Sequence, residues 1–473
     1  MKTSISKKRA LFYLMIVLVS GSFIFLYLSL QQPPASDYLW GYIDKSGNMV
    51  IEPRFLEAGA FNNGLALVQL DNNHQDFPDN CNRGFIDTAG EIVTDPYCDA
   101  REYSEGLAAI KTCGDSSVNS HDCKWGFVDN TGNIAIEAKY DFVRDFSEGV
   151  AVAAQGRDCP CNPFKISGTD SDQISKECVF GYVDKTGEVI IEGPFSNAWS
   201  FSEGIAAVEI DGKYGFIDRS GNTVIDPVFQ TDERIIKNLN AYYLSEAAYF
   251  SQGVAAIEID DRYGFIDKTG KIVISPQFTD ALPFFEGLAA VETTAENATA
   301  GRWGFIDMAG KTVIDFKYSE VGSFANGIAP VAHCRKGWDS DRCEWGLIDR
   351  TGRIITKPQY ADIDYQSEEL WPVAVTDNSG AANKLYGFID PSGNTIIEPQ
   401  FNYAYNFSEG LAAVELNGKY GYCYIDKKGN VVVELENCIQ ANRFSEGLAA
   451  IRKYNSTGLF DKVFKAIYRL KRF

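Results

Sequence analysis

Histidine is nearly missing from this chain: three among 473 residues. No Cys-x-x-Cys pair accompanies them, so a zinc site would need His121 beside Cys123 or His333 beside Cys334, and the expectation is no metal. A Gly-rich phosphate loop and a nucleophile elbow are missing too, which removes the common signatures of nucleotide chemistry and of serine hydrolases. Basic residues are in deficit, with 44 Lys and Arg against 64 Asp and Glu and a net charge of −20. The deficit is uneven. Residues 1–30 hold four basic residues and no acid, and residues 452–473 a net of six positive charges, which leaves the body between them at −30. A surface of that sign repels phosphate backbones and excludes nucleic acid as the expected partner; it suits solubility or cationic partners.

What the chain does have is a repeat. Glu203 to Phe229, EGIAAVEIDGKYGFIDRSGNTVIDPVF, recurs in recognisable copies from Trp40 almost to the end of the chain. Short apolar and β-branched runs alternate with turns, which predicts three short strands per copy. Asp218 and Gly221 bracket one turn, and an Asp and a Gly stand at the same places in all ten copies, from Asp44/Gly47 to Asp426/Gly429. Asp at the first and Gly at the fourth position predict a type I turn closed by a residue at positive φ.

An aromatic-Gly pair marks each copy: Trp40-Gly41, Trp125-Gly126, Phe180-Gly181, Tyr214-Gly215, Tyr263-Gly264, Trp303-Gly304, Trp345-Gly346, Tyr386-Gly387 and Tyr420-Gly421. The second copy departs with Arg83-Gly84. On these residues the chain resembles the WG-repeat family over roughly residues 40 to 451. Members are mostly bacterial, and the resemblance implies a β-rich interaction module far more strongly than an activity. Repeats of a few tens of residues bury their core against their neighbours, so the expectation is an all-β repeat protein of ten hairpin or meander units.

The organisation follows. Residues 1–9 form a basic stub. Ala10 to Leu30 is a 21-residue stretch without charge, long enough to cross a bilayer as an uncleaved signal anchor. The basic side stays cytoplasmic, which places the repeats outside the membrane; if the segment is cleaved, the protein is secreted. Residues 31–39 link it to the repeats of 40–451. After them, Phe460, Val463, Phe464, Ile467 and Tyr468 at helical spacing predict a basic amphipathic helix over 452–473, a cap or a membrane-surface contact. A short helix is also expected within Thr231 to Tyr249.

Eleven cysteines fit the extracytoplasmic side. Cys113 with Cys123 and Cys334 with Cys343 stand at the two ends of equivalent inter-copy loops, and by the same logic Cys81 meets Cys98, Cys423 meets Cys438, and Cys178 meets Cys161 or Cys159; an odd count leaves one thiol over. Other insertions, such as Asn72 to Asn82 and Gln155 to Cys178, fall in that same loop and should crowd one face of the body, its natural binding surface.

The array ends are complementary. The first copy lacks a Gly-Leu-Ala strand before it, and the last, ending at Ile451, lacks an aromatic-Gly strand after it. Pairing them favours a propeller-like closed ring, with a fourth strand per unit supplied by segments such as Phe278 to Phe285; an open β-solenoid is the alternative. The recurring Asp and Glu have structural work in turns, and no carboxylate pair differs from its sister copies as a glycosidase pair would. The expectation is therefore a membrane-anchored extracytoplasmic binding or scaffold protein, with no catalytic residue and no cofactor, acting on an unknown protein or an envelope glycan. Its rival is a carbohydrate-active enzyme or glycan-binding protein on a propeller.

Overall fold

The computed structural model describes residues 38–70, 81–113, 123–156, 178–230, 250–259, 262–294, 301–335, 342–364, 370–376, 384–416, 421–435 and 438–454. The expected anchor over 10–30, the helix within 231–249 and residues 455–473 lie outside them. Among the described residues no helix is long and apolar enough to cross a membrane.

The unit is a four-stranded antiparallel sheet. In the fifth copy its order is Asn197–Ala198, Ile205–Ile210, Lys213–Asp218 and Thr223–Gln230. The expected three strands are all present, and the fourth is the two-residue strand that precedes the Ser-Glu-Gly turn. In the Phe278 to Phe285 segment it is Asp280–Ala281, paired with Glu292 and Val291. The last strand of a unit alternates: Ile272 and Val273 are exposed while Ile274 and Phe278 are buried. By contrast the Ala-rich strand is buried on both faces. Ala206 and Val208 pack toward Phe180 and Ile191 of the preceding sheet, and Ala207 toward Ala255 and Ile266 of the next. Methyl side chains let sheets approach on both sides without a void, which is why this strand is written in alanine.

An aromatic pair bolts most units to the next; in the eighth, Leu347 stands where the others carry the first ring. Phe127 meets Phe146 at 4.8 Å between ring centroids, Phe265 meets Phe284 at 4.9 Å, and Tyr424 meets Phe444 at 4.7 Å. Each such edge or tilted contact adds roughly 0.5–1.5 kcal/mol beyond area burial.

The two turns behave differently. At Asp218 the carboxylate accepts the N–H groups of Ser220 and Asn222, and Gly221 stands at φ 81°. This is the expected type I turn with a left-handed closing residue, and its other copies carry the same bonds. The Ser-Glu-Gly turn is tighter. Ser202 and Ile205 exchange both backbone hydrogen bonds, with Glu203 at φ 51° and Gly204 at φ 82°. Two consecutive positive φ values define a type I′ hairpin, where Asn-Gly is the favoured pair. Asn63-Gly64 and Asn326-Gly327 conform to that preference. A Glu there is strained by about 1–2 kcal/mol.

What offsets the strain is a bond to the next unit. The N–H of Gly149 donates to Glu105 Oε2 at 2.8 Å, that of Gly204 to Glu148 at 3.0 Å, and those of Gln252 and Gly253 to Glu203 at 2.7 and 2.9 Å. Charge-assisted bonds of this kind are about twice as strong as neutral ones. A Lys or Arg of that same next unit completes the contact: Lys185 lies 3.4 Å from Glu105 and Lys268 3.1 Å from Glu203. The Glu turns and the Asp turns thus share one end of the sheets, and the inter-copy insertions leave from the other.

The chain's two ends meet. Tyr38–Asp44 pairs along its whole length with Leu448–Tyr454, from Tyr38 opposite Tyr454 to Asp44 opposite Leu448. One six-stranded sheet therefore runs Cys438–Ala441, Leu448–Tyr454, Tyr38–Asp44, Met49–Ala58, Leu65–Leu70 and Arg83–Asp87. The other inter-unit contacts repeat across this junction. Glu446 takes the N–H groups of Asn63 and Gly64, Ser445 Oγ donates to the carbonyl of Phe61, and Lys45 pairs with Glu409 at 2.9 Å. Arg452 and Lys453, expected to open a C-terminal helix, instead extend this strand, because the first copy offers them an unpaired edge.

Two further readings are corrected. The aromatic-Gly mark of the tenth copy is not Tyr420-Gly421. Cys423 lies opposite Val414 and Tyr422 opposite Glu415, the places that Gly215 and Tyr214 take opposite Val208 and Glu209. Elsewhere glycine is required: a Cβ on Gly215 would stand 2.4 Å from the carbonyl oxygen of Ile225. The tenth copy pairs Cys423 with Glu434 in a strand that ends there, without the Pro-containing bend that crowds the other glycines. The second correction is the Cys423–Cys438 bond, which does not form. Cys423 packs with Phe388 and Ile397, Cys438 with Tyr424 and Ala441, so the two thiols enter different cores.

Candidate functional site

At the insertion end of the sheets, one place breaks the repeat. In the segment Phe401 to Phe407, Tyr403 stands where five other copies carry Glu57, Asp99, Asp280, Glu320 and Asp362 and one carries Phe142, and Tyr405 where others carry Gly59, Gly322, Asp364, Arg101, Arg144 or Trp199. The strand Thr395–Ala404 puts Tyr403 beside Tyr386, the aromatic mark of its own unit, with centroids 5.2 Å apart. Tyr403 meets Tyr405 at 4.9 Å, and Tyr405 meets Tyr422 at 6.3 Å. Four rings thus form a row across two units that share one continuous seven-stranded sheet. Tyr386, Tyr405 and Tyr422 are half-buried, while Tyr403 is 40% exposed.

Carboxylates edge the row. Asp362 accepts from Tyr386 Oη at 3.1 Å and from Lys384 Nζ at 3.3 Å. Asp364 accepts from Asn406 Nδ2 at 2.6 Å. Asn406 is 9% exposed, and its Oδ1 is buried with no hydrogen-bond partner, a costly state for an amide. Glu415 has no ion pair among the described residues. Burial raises all four phenols, and the negative charges add to it: Asp362 at Tyr386, Asp362 and Asp364 at Tyr403, Glu415 at Tyr405 and Tyr422. All four side chains are therefore neutral phenols at pH 7, in a field of negative sign.

The cysteines lie at the same end. Cys81 bonds to Cys98, Cys113 to Cys123 and Cys334 to Cys343. In the last two pairs the residues face each other directly across neighbouring strands, so each bond closes the base of an insertion. Cys178 is also disulfide-bonded; Cys159 and Cys161, its two expected partners, lie outside the described residues. The sulfurs of Cys81, Cys98 and Cys113 fall within 4.8 Å of one another, which brings two disulfides side by side. With Cys334 in a bridge, His333 has no thiolate beside it and packs on Tyr318 at 5.4 Å.

The marker aromatics and glycines are structural. Trp40 and Trp125 are buried, Trp303 and Trp345 half-buried against core clusters, and Gly41, Gly126, Gly304 and Gly346 each allow a close backbone approach. The sequence pattern drew attention to these recurring positions and passed over Tyr403 and Tyr405, whose signal was departure from the repeat.

These features define an all-β repeat protein built from one short antiparallel unit. The repeat described as "WG containing repeat" matches at residues 40–73, 84–114, 125–156, 180–214, 214–231, 263–293, 303–333, 345–373, 386–420 and 422–455. The chain belongs to that family. The tenth match opens at Tyr422, as the strand register does. No curated protein matches the chain in sequence. Among solved structures it is similar to a eukaryotic initiation factor, at 12% identity over 76% of this chain and 94% of that one with a TM-score of 0.43. It is also similar to apo AztD from Citrobacter koseri, at 11% over 66% and 92% with a TM-score of 0.30. A third is an uncharacterized protein from Listeria monocytogenes, at 9% over 79% and 91% with a TM-score of 0.31. Likenesses this distant carry no inference about this chain.

Proposed function

We propose that this protein is a non-catalytic, membrane-anchored binding or scaffold protein. Its ten repeats close into a propeller-like ring, held outside the cytoplasmic membrane by the apolar segment 10–30. The observation that carries the reading is the division of labour between the two ends of the sheets. One end is spent on repeat-to-repeat bonds, while the other bears the insertions, the disulfides Cys81–Cys98, Cys113–Cys123 and Cys334–Cys343, and a row of tyrosines that departs from the repeat. Closure is supported by the continuous pairing of the first and last strands, which leaves neither as an open edge. The extracytoplasmic side is supported by those disulfides, which persist in oxidising compartments. The recurring carboxylates have structural partners: turn aspartates bind their own backbone, and turn glutamates bind the next unit's.

The test is cross-linking in intact cells, followed by detergent purification. A protein recovered in fixed ratio, and joined through peptides of the insertion end, supports the scaffold. Turnover of an envelope glycan that a single Asp or Glu substitution abolishes contradicts it and favours the glycan-active alternative.

A further inference from the structure

We propose that the row Tyr386, Tyr403, Tyr405 and Tyr422 is a binding site for the cationic side chains of a basic peptide segment. The proposal rests on reading the insertion end as a partner-binding surface, and it names the chemistry of the partner. Aromatic faces carry negative charge density and attract ammonium and guanidinium groups, most strongly where water is partly excluded. Here the rings are half-buried and spaced 4.9 to 6.3 Å apart, a row along which successive side chains of an extended peptide can lie.

The carboxylates that bear on the phenols are Asp362, Asp364 and Glu415; among the described residues Lys384, at the edge, is already paired with Asp362, and Lys453 acts on the Cys438 thiol beside Tyr422. The local field is therefore unbalanced toward negative. A neutral sugar could stack on tyrosine, but it would leave that imbalance uncompensated. Asn406 adds an independent sign of an incomplete site. Its Nδ2 is held by Asp364, while its Oδ1 is buried next to Tyr405 in sequence with no hydrogen-bond partner. Among the described residues no other unit joins four tyrosines in this way: at the Tyr403 position five units carry an acid, and Phe142, the aromatic found there in the fourth unit, is already covered by Arg101 and Arg144.

The experiment uses the full chain in detergent and a fluorescent Lys/Arg-rich peptide read by anisotropy, with a Gln-substituted peptide of the same length as the neutral probe. The expected result is saturable binding of the basic peptide only. Tyr403→Ala weakens it by roughly 5- to 10-fold, the size of one partly desolvated cation–π contact, while Tyr403→Phe retains it. Asp364→Asn weakens it as well. Glu188→Gln, at the opposite end of the sheets, leaves it unchanged, which separates the site from general attraction to an acidic body. Equal binding by wild type and Tyr403→Ala overturns the proposal, as does equal binding of the neutral peptide, or Tyr403-dependent binding of a neutral oligosaccharide in place of the basic peptide. If cross-linking still yields a stoichiometric partner through the insertion end, that failure belongs to the cation site alone and the scaffold reading stands.

Discussion

Glu446 accepts hydrogen bonds from the backbone N–H groups of Asn63 and Gly64, at 2.7 and 2.8 Å, across more than 380 residues of sequence. The same bond joins successive units elsewhere along the chain. Here it ties the C-terminal part of the chain to the N-terminal part, so its loss should be felt by the whole array.

Glu446→Ala is expected to destabilise the protein by about 1–2 kcal/mol, the range for a charge-assisted bond at a partly exposed site. Glu446→Gln should cost much less, because Gln252 fills this role natively and its Oε1 takes the N–H of Gly287 at 2.8 Å. Urea titration followed by circular dichroism separates the two. Equal effects of Ala and Gln would show that the acceptor is not what matters.

The stitching also predicts a pH dependence. Glu105, Glu203 and Glu409 are raised by burial, but the N–H groups of the next unit and a neighbouring lysine outweigh it and hold the carboxyls below the ordinary value of 4.5. A depressed folded-state value adds stability above the ordinary carboxylate range and loses it as pH falls through the depressed one. Melting temperature should therefore be flat from pH 7 to 5 and fall below about 4.5. Lys185→Met and Lys268→Met should lower the melting temperature at pH 7 and make that fall smaller, because without the lysine each carboxyl lies nearer its ordinary value.

Gly215→Ala should cost about 2 kcal/mol or more, since its Cβ would meet the Ile225 carbonyl oxygen at 2.4 Å. Cys423→Ala, at the equivalent place in the tenth unit, should be tolerated far better. Similar losses at both positions would contradict the register that puts Cys423 in the glycine slot.

Peptide mapping without reduction should recover Cys81–Cys98, Cys113–Cys123 and Cys334–Cys343 and no Cys423–Cys438 pair. Removing Cys113–Cys123, which spans 10 residues, should cost about 2–3 kcal/mol if chain entropy governs.

How much of this was legible depends on whether a residue's role is local. Asp218 and Gly221 announce their turn because all of its bonds lie within five residues. The aromatic-Gly pairs announce a unit, and the unmatched strands at Trp40 and Ile451 announce each other. Glu203 was legible as a recurring turn residue but not as a link, because its partners, Gln252 and Gly253, are fixed only when sheets stack. The register of Tyr422 was masked by Tyr420-Gly421, a better match to the pattern two residues upstream. Cys423 and Cys438 have the spacing of a bridge, and only the two separate cores show why they do not make one. Tyr403 and Tyr405 were visible as exceptions, but a row of rings needs the coordinates of two units.

The most direct test is zero-length carbodiimide coupling of the monomer followed by mass spectrometry. Lys45 Nζ lies 2.9 Å from Glu409, joining the first unit to the tenth, while Lys185–Glu105 and Lys268–Glu203 are the same contact inside the array and serve as controls. A closed ring predicts an intramolecular Lys45–Glu409 peptide in yield comparable to the two controls. Recovery of both controls without Lys45–Glu409, or with it only in covalent dimers, would mean that the ends do not meet within one chain and that the array is open.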